Sequence, residues 1–216
     1  AGIFTIAYTS ACLLLTLGQY GMRQFQVSDR KPRFSFRDYG LSRILTTALM
    51  LLAGAAYLLV ASNVLHYAWE KSAVIFVMCL FKAIDSIEDV LHGNYQQYGR
   101  LDVGARFLTA RLATTLVVFA GAIIACADLL PAMTATTIYT GAFFVWETWR
   151  IRRSYGLPRH GSSATDKTLR SAVRLLKACF PLFLGAFLLL YISNAPKYAI
   201  DAFMSDAAQA YYGFIA

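Results

Sequence analysis

Four charged side chains occur within one short and otherwise apolar part of the chain. They are Lys82, Asp85, Glu88 and Asp89, and they follow the apolar run 72–80. Because a helix advances about 100° per residue, one arc of a helix through this segment carries its polar side chains: Lys82, Asp85, Ser86, Asp89 and His92, with Glu88 at the edge. The opposite arc is apolar. Carboxylates beside an ammonium group can bind a cation or contact a polar substrate, or the carboxylates and the ammonium group can neutralise each other's charge.

A charge at the centre of a lone membrane helix costs roughly 3 kcal/mol, so such an arc normally faces a helix bundle or a watery cavity. We expect this arc to line a cavity. Two alternatives stay open. The side chains can instead form ion pairs that pack helices together, or the true span is 64–82 and the charges emerge into the cytoplasm, which would place Glu70 and Lys71 in the membrane core.

Thiol and metal chemistry is not indicated by the sequence. The four cysteines lie in apolar runs without a C-x-x-C pair, which predicts small buried side chains: Cys12, Cys79, Cys126 and Cys179. The three histidines are isolated along the chain, so we predict no metal site: His66, His92 and His160.

Asp85, Glu88 and Asp89 could also hold Mg²⁺ in a membrane phosphotransferase. The D-x-x-D-G-x-x-A-R spacing of the CDP-alcohol type is absent, however, and no His-based or Ser-based catalytic set occurs. We therefore predict that the protein is not an enzyme.

The composition predicts an all-α integral membrane protein, because 58% of the 216 residues are hydrophobic, only 15% are charged and the mean hydropathy is +0.51. A membrane span needs about 20 mainly apolar residues. The chain has six full candidate spans and the start of a seventh: 2–21, 41–63, 72–92, 105–127, 129–149, 175–194 and from 208.

Basic residues concentrate on one side of these spans. The connections 22–43, 93–111 and 150–177 hold six, three and eight of the 20 Lys and Arg, whereas the other side holds only Lys71 and Lys197. The basic side is therefore cytoplasmic, and the net charge of +8 reflects topology rather than nucleic-acid binding. The first helix then runs from outside to inside, which we interpret as the sign of a fragment.

The polar stretch 150–174 is basic and rich in Gly, Ser and Thr. It predicts a cytoplasmic linker between the helices of an N-terminal lobe, 1–149, and the start of a second lobe, 175–216. An amphipathic helix on the surface of anionic lipid is the alternative.

Two stretches resemble the polysaccharide flippases, the lipid-linked oligosaccharide branch of the multidrug/oligosaccharidyl-lipid/polysaccharide exporter superfamily. The connection "MRQFQVSDRKPRFSFRDYGLSRILT" is similar to that family's R-x-x-Q-x-[ST]-D, then F-S-F-x-[DE]-Y and an Arg that opens the next helix. The matching positions include Arg23, Gln26, Asp29, Asp38 and Arg43. The charged segment resembles the family's K-x-x-[DE]-S-x-x-[DE] followed by a Gly and a Gln-rich turn, with matches at Lys82, Asp85, Ser86, Asp89, Gly93, Gln96 and Gln97.

The resemblance implies a polytopic two-lobe exporter fold around a central cavity, of which this chain would hold the second to seventh helices and the start of the eighth. It implies a flippase that moves undecaprenyl-diphosphate-linked oligosaccharide across the bacterial cytoplasmic (inner) membrane by alternating access, for cell-surface polysaccharide synthesis. The implied partners are lipid-linked oligosaccharide, membrane lipids and other polysaccharide assembly proteins. No cofactor is implied beyond coupling to H⁺ or Na⁺.

Within that mechanism the resemblance gives the polar residues separate roles. Lys82 and Arg23 would contact the diphosphate, and three further side chains would bind sugar hydroxyls in the cavity: Ser86, Gln19 and Gln96. Gating or ion coupling would use Asp85, Asp89 and Glu88. The alternatives are a cation-coupled multidrug exporter of the same fold and, outside transport, a membrane scaffold.

Overall fold

The computed structural model describes residues 2–29, 33–155 and 168–215, and every secondary-structure element in those ranges is a helix. The elements follow one another in this order: α1 (Gly2–Gln19), α2 (Met22–Ser28), α3 (Phe36–Val64), α4 (Trp69–Gln97), α5 (Leu101–Cys126), α6 (Leu129–Tyr155), α7 (Thr168–Phe203) and α8 (Asp206–Ile215).

Five helices of the described chain are long and apolar enough to cross a membrane, namely α1, α3, α5, α6 and α7. The protein is therefore a multi-pass helical membrane protein, as its composition predicts. The helix α4 has 29 residues, which is also long enough, but its charges distinguish it from the other five. Its assignment as a span, the count of six and the two-lobe arrangement stay predictions.

The connection 22–43 contains a short helix that was not predicted from the sequence. The predicted span 2–21 ends early, because Tyr20 and Gly21 both have a left-handed backbone, with φ of 52° and 64°. Glycine suits this turn for a second reason, since a Cβ at position 21 would lie 2.7 Å from the Cβ of Leu182. Beyond the turn the chain continues as α2.

A capping box begins α3. The Ser35 hydroxyl accepts a hydrogen bond from the Asp38 backbone N–H, and the Asp38 carboxylate accepts one from the Ser35 N–H at 2.8 Å. Both bonds satisfy backbone donors that a helix start leaves without partners. The box therefore explains why α3 begins at Phe36, five residues before the predicted span 41–63.

The predicted end of the sixth span at 194 is wrong, because α7 continues through Pro196 to Phe203. A proline bends a membrane helix without ending it when neighbouring groups compensate for the lost hydrogen bond. Tertiary contacts hold the added turns, and the sequence near these turns does not predict such contacts. The Tyr198 hydroxyl donates to the Thr9 carbonyl at 3.4 Å, and Asp201 pairs with Lys71 at 2.6 Å.

Both ends of the predicted linker 150–174 are helical, because α6 continues to Tyr155 and α7 begins at Thr168. Its centre, 156–167, lies outside the described residues. The helices that follow pack directly on the first ones, since α7 contacts α1 and α3, and α8 contacts α1.

The helix α4 lies at the centre of the bundle and contacts α1, α2, α3, α5 and α6. One apolar core joins α1, α4 and α6: Ala7, Ala11, Val74, Ile75, Met78, Cys79 and Met133. A second joins α2, α3, α4 and α7: Met22, Tyr39, Val90, Leu175 and Cys179. Two of the four cysteines are thus buried as predicted, whereas Cys126 is exposed because it ends α5, a helix with a largely exposed surface.

Close packing of α1 against α3 and α4 depends on Gly18. A Cβ there would lie 2.8 Å from both the Met50 sulfur and the Ser86 hydroxyl. We expect Gly18→Ala to destabilise the protein by about 1–3 kcal/mol through overpacking, measured by thermal denaturation in detergent. The matched control is Gly121→Ala in α5, where a Cβ meets nothing within 4 Å. Equal stability of both variants would contradict this account of the packing.

Candidate functional site

The polar arc of α4 faces the interior of the bundle. Lys82, Ser86 and His92 are buried. On the opposite arc Ile87 is exposed, whereas Ala83 and Val90 are buried as well, because other helices pack on several sides of α4. The burial of the polar side chains therefore agrees with the helical periodicity, although α4 has no single inward face. Inside the bundle, the cost of removing charges from water is offset only where each charge has a partner.

Asp89 lies between two guanidinium groups. Its Oδ2 is 2.7 Å from the buried Arg43 of α3, and its Oδ1 is 3.5 Å from Arg23 of α2. Arg43 also donates to the Gly18 carbonyl at 2.7 Å, an oxygen that accepts a second bond from Thr46. That carbonyl belongs to the last turn of α1, where backbone acceptors lack helical partners, and a cation there complements the helix dipole.

A cavity of about 590 Å³ opens beside this triad. It lies between the end of α1, the helix α2, the second half of α4 and one residue of α7. Most of its lining side chains are polar or small: Thr16, Gln19, Gly21, Arg23, Gln24, Val27, Ser28, Asp89, Gln96 and Ala186. Arg23 donates to the Gln96 side chain at 3.2 Å, which joins the two sides of the cavity.

The cavity carries a surplus positive charge. Among the described residues that line it, Asp89 is the single carboxylate, and it faces both Arg23 and Arg43. One negative charge between two positive ones leaves a net charge of +1. Arg43 is enclosed, whereas the Arg23 side chain is 37% exposed, so the surplus charge is available to a ligand in the cavity.

A second polar network lies on the same part of α4, between Lys82 and Glu88. Asp85 binds Lys82 at 3.0 Å and Arg111 of α5 at 2.9 Å. Arg111 also contacts Glu88 at 2.5 Å. The Lys82 ammonium lies 5.0 Å from the Tyr8 ring centroid, in a contact typical of cation–π interactions.

The structure brings together some of the predicted cavity residues. Gln19, Arg23 and Gln96 line the cavity together with Asp89. Two others lie elsewhere. Ser86 is fully buried and shares a hydrogen bond of 2.9 Å with Thr47 of α3, and Lys82 belongs to the second network.

Asp85 and Glu88 match the alternative that the sequence left open, ion pairs between packed helices. Their common partner, Arg111, belongs to α5. The other alternative, a span at 64–82 with Glu70 and Lys71 in the membrane core, does not match the helix bounds, because α4 begins only at Trp69.

The motif residues of the first connection shape the end of the bundle at this cavity. The buried Gln26 amide donates to Gln97 at 3.3 Å, and its oxygen lies so close to Gly93 that a Cβ there would meet it at 2.3 Å. Asp29 accepts from the Arg33 N–H at 3.0 Å. With Asp38 in the capping box of α3 and Arg43 on Asp89, the motif positions hold α2 and α3 against α4.

Three partners in the second network were not predicted from the sequence. The view of His92 as isolated is wrong, because its Nε2 lies 3.3 Å from Glu88 Oε1, and Glu147 of α6 lies near both. Arg111 was counted only among the basic residues of the connection 93–111, whereas it pairs with Asp85 and Glu88. The spacing Glu-x-x-x-His, which places two ligands on one helix face, was the available signal for His92.

An ion pair between α4 and α7 lies at the opposite end of the bundle. Lys71 contacts Asp201 at 2.6 Å, and the Tyr67 hydroxyl donates to the same carboxylate. Burial first, and then this hydrogen bond, raise the pKa of Tyr67 above its ordinary value. The phenol therefore stays protonated and keeps donating at neutral pH.

Comparison with protein families, with characterised proteins and with solved structures finds no match to this chain.

The triad at Asp89 gives a stability prediction. Asp89→Asn leaves the buried Arg43 without its counter-charge, and we expect a loss of about 3–5 kcal/mol, as for other broken buried pairs. Thermal denaturation in detergent measures it. The control is Asp102→Asn, which removes the exposed pair with Arg100 and should leave the denaturation midpoint unchanged. An unchanged denaturation midpoint in Asp89→Asn would show that the Arg43–Asp89 pair does not stabilise the protein.

Proposed function

We propose that the protein is a membrane transporter of the flippase type, which moves a diphosphate-linked oligosaccharide lipid across the bacterial cytoplasmic membrane. The observation that carries this proposal is the cavity with one surplus positive charge, lined by amides and hydroxyls. Its position at the end of the bundle with the most basic residues makes it the entry site for a substrate from the cytoplasmic leaflet.

The chemistry of the cavity fits the headgroup of such a lipid. A diphosphate crossing hydrocarbon needs donors that replace its hydration, and a guanidinium offers charge-assisted bonds to phosphate oxygens. Arg23 is the partly exposed cation of the cavity. Gln19, Gln24 and Gln96 line the same space and offer amide donors and acceptors to sugar hydroxyls.

The wall of the cavity on α7 suits the lipid tail. Ala186 lines the cavity, and the same helix exposes several large apolar side chains: Leu182, Leu184, Leu188, Leu189 and Ile192. A polyprenyl chain can therefore lie along α7 within the bilayer while its headgroup enters the polar space. In this arrangement the charged part of the substrate avoids hydrocarbon.

The lining favours a glycolipid over the alternative substrate class, hydrophobic drugs. Sites for drug-sized molecules are lined mainly by apolar and aromatic side chains. No aromatic residue is among the described side chains that line this cavity, whereas amides and hydroxyls prevail.

Arg23 tests the proposal. In proteoliposomes that contain the purified protein, we expect Arg23→Ala to slow translocation of a polyprenyl-diphosphate oligosaccharide at least tenfold, because the diphosphate loses its cation in the cavity. Arg23→Lys should retain part of the rate, since lysine keeps the charge but not the bidentate geometry.

The matched control is Arg33→Ala, which removes a basic residue of the same connection that pairs with Asp29 rather than with the cavity. It should translocate the lipid at the native rate. An unchanged rate in Arg23→Ala, with the protein folded and inserted, would rule out the cavity as the path of the diphosphate.

A further inference from the structure

Three potential ligands of a metal ion meet between α4 and α6, away from the cavity. They are Glu88 and His92 on α4 and Glu147 on α6, all buried, and one donor atom of each lies within 4.8 Å of the others. We propose that this cluster, the Glu88–His92–Glu147 site, binds a divalent first-row transition-metal ion such as Zn²⁺. The proposal is independent of the transported substrate.

Buried donors without partners support a ligand at this point. Glu88 Oε1, His92 Nε2 and Glu147 Oε2 are enclosed, and none has a hydrogen-bond partner. Buried polar atoms in folded proteins are almost always paired. Glu88 Oε1 and His92 Nε2 approach each other to 3.3 Å without a hydrogen bond, and a Glu147 donor atom lies within 4.8 Å of both residues' donor atoms, which is the arrangement expected around a cation.

The local charge also favours a cation. Lys82 and Arg111 supply two positive charges to this network, whereas Asp85, Glu88 and Glu147 bring three carboxylates. Arg111 uses its two terminal nitrogens on Asp85 and on Glu88 Oε2, which leaves Glu88 Oε1 directed toward His92. A dipositive ion would offset the carboxylate charge that the two basic residues leave.

The geometry suits a small ion with short bonds. His92 Nε2 and Glu88 Oε1 are 3.3 Å apart, which is close to the edge of a tetrahedron with metal–ligand bonds of about 2.0–2.1 Å. A carboxylate oxygen of Glu147 lies within 4.8 Å of the other two donors and would complete three ligands by moving closer, and a water molecule can supply the fourth. Imidazole with carboxylates is a ligand set for Zn²⁺ and other divalent first-row transition-metal ions, whereas Mg²⁺ and Ca²⁺ prefer oxygen ligands alone.

The surroundings fix the ligands in place. Tyr95, Val103 and Ile151 form a buried apolar cluster next to the site, and the Tyr95 ring lies 6.0 Å from the His92 ring between centroids. Arg111 holds the second oxygen of Glu88. Ligands oriented by such neighbours lose little freedom on binding, which strengthens a metal site.

Zn²⁺ titration of the chelator-treated protein in detergent tests the proposal, with isothermal titration calorimetry as the readout and purification through a tag without histidine. We expect one Zn²⁺ per chain and at least tenfold weaker binding of Mg²⁺ and Ca²⁺. His92→Asn and Glu147→Gln should each weaken Zn²⁺ binding at least tenfold. Glu147→Gln also removes a buried carboxylate and should fold as well as the native chain, which circular dichroism verifies.

The matched controls are His66→Asn and Glu70→Gln, which remove an exposed imidazole and an exposed carboxylate and should bind Zn²⁺ like the native protein. Co²⁺ provides a second readout, because a site without cysteine ligands gives no strong thiolate charge-transfer band. The proposal is overturned if the native protein shows no saturable Zn²⁺ binding, if Glu147→Gln binds Zn²⁺ with native affinity, or if bound Co²⁺ shows thiolate absorption.

Discussion

Placing four charged side chains of α4 inside an apolar bundle is the constraint on which the arrangement of the other helices depends. A buried charge without a partner costs several kcal/mol, so each of these side chains must meet an opposite charge. The partners come mainly from other helices: Arg23 of α2, Arg43 of α3 and Arg111 of α5. Because each pair joins α4 to a different helix, the pairs fix where these helices lie around it. The surrounding apolar contacts then only have to fill the remaining space.

The same pairs divide the polar interior into two regions of opposite charge. Asp89 faces two arginines, which leaves a positive region open to the cavity. In the same part of α4, the network around Arg111 has more carboxylates than basic groups, and its central residues Glu88, Arg111 and Glu147 are buried. Anions are therefore attracted to the open region and small cations to the enclosed one, since fields within a low-dielectric interior are only weakly screened.

The sequence predicted side-chain positions best where they depend on one helix alone. Helical periodicity alone predicted that Lys82, Ser86 and His92 lie on one face of α4, and all three are buried, because the direction of a side chain follows from its position along one helix. Arg111 and Glu147 could not be identified as partners, since their meeting with α4 depends on how α5 and α6 pack. The predicted end of α7 was wrong for the same reason. Contacts of its last turns with Thr9 and Lys71 outweigh the tendency of Pro196 to end a helix.

The break between α1 and α2 connects the packing of the bundle to its polar interior. A straight continuation of α1 would use one lone pair of the Gly18 carbonyl within the helix and leave room for only one of its two side-chain donors, Arg43 and Thr46. The left-handed turn at Tyr20 and Gly21 instead exposes that carbonyl to Arg43, which in turn holds Asp89. The same turn redirects the chain into α2, and Arg23 thereby reaches the other oxygen of Asp89. One backbone feature thus creates both the buried pair that stabilises α3 against α4 and the exposed cation of the cavity, so a movement of α2 would change the charge that the cavity presents.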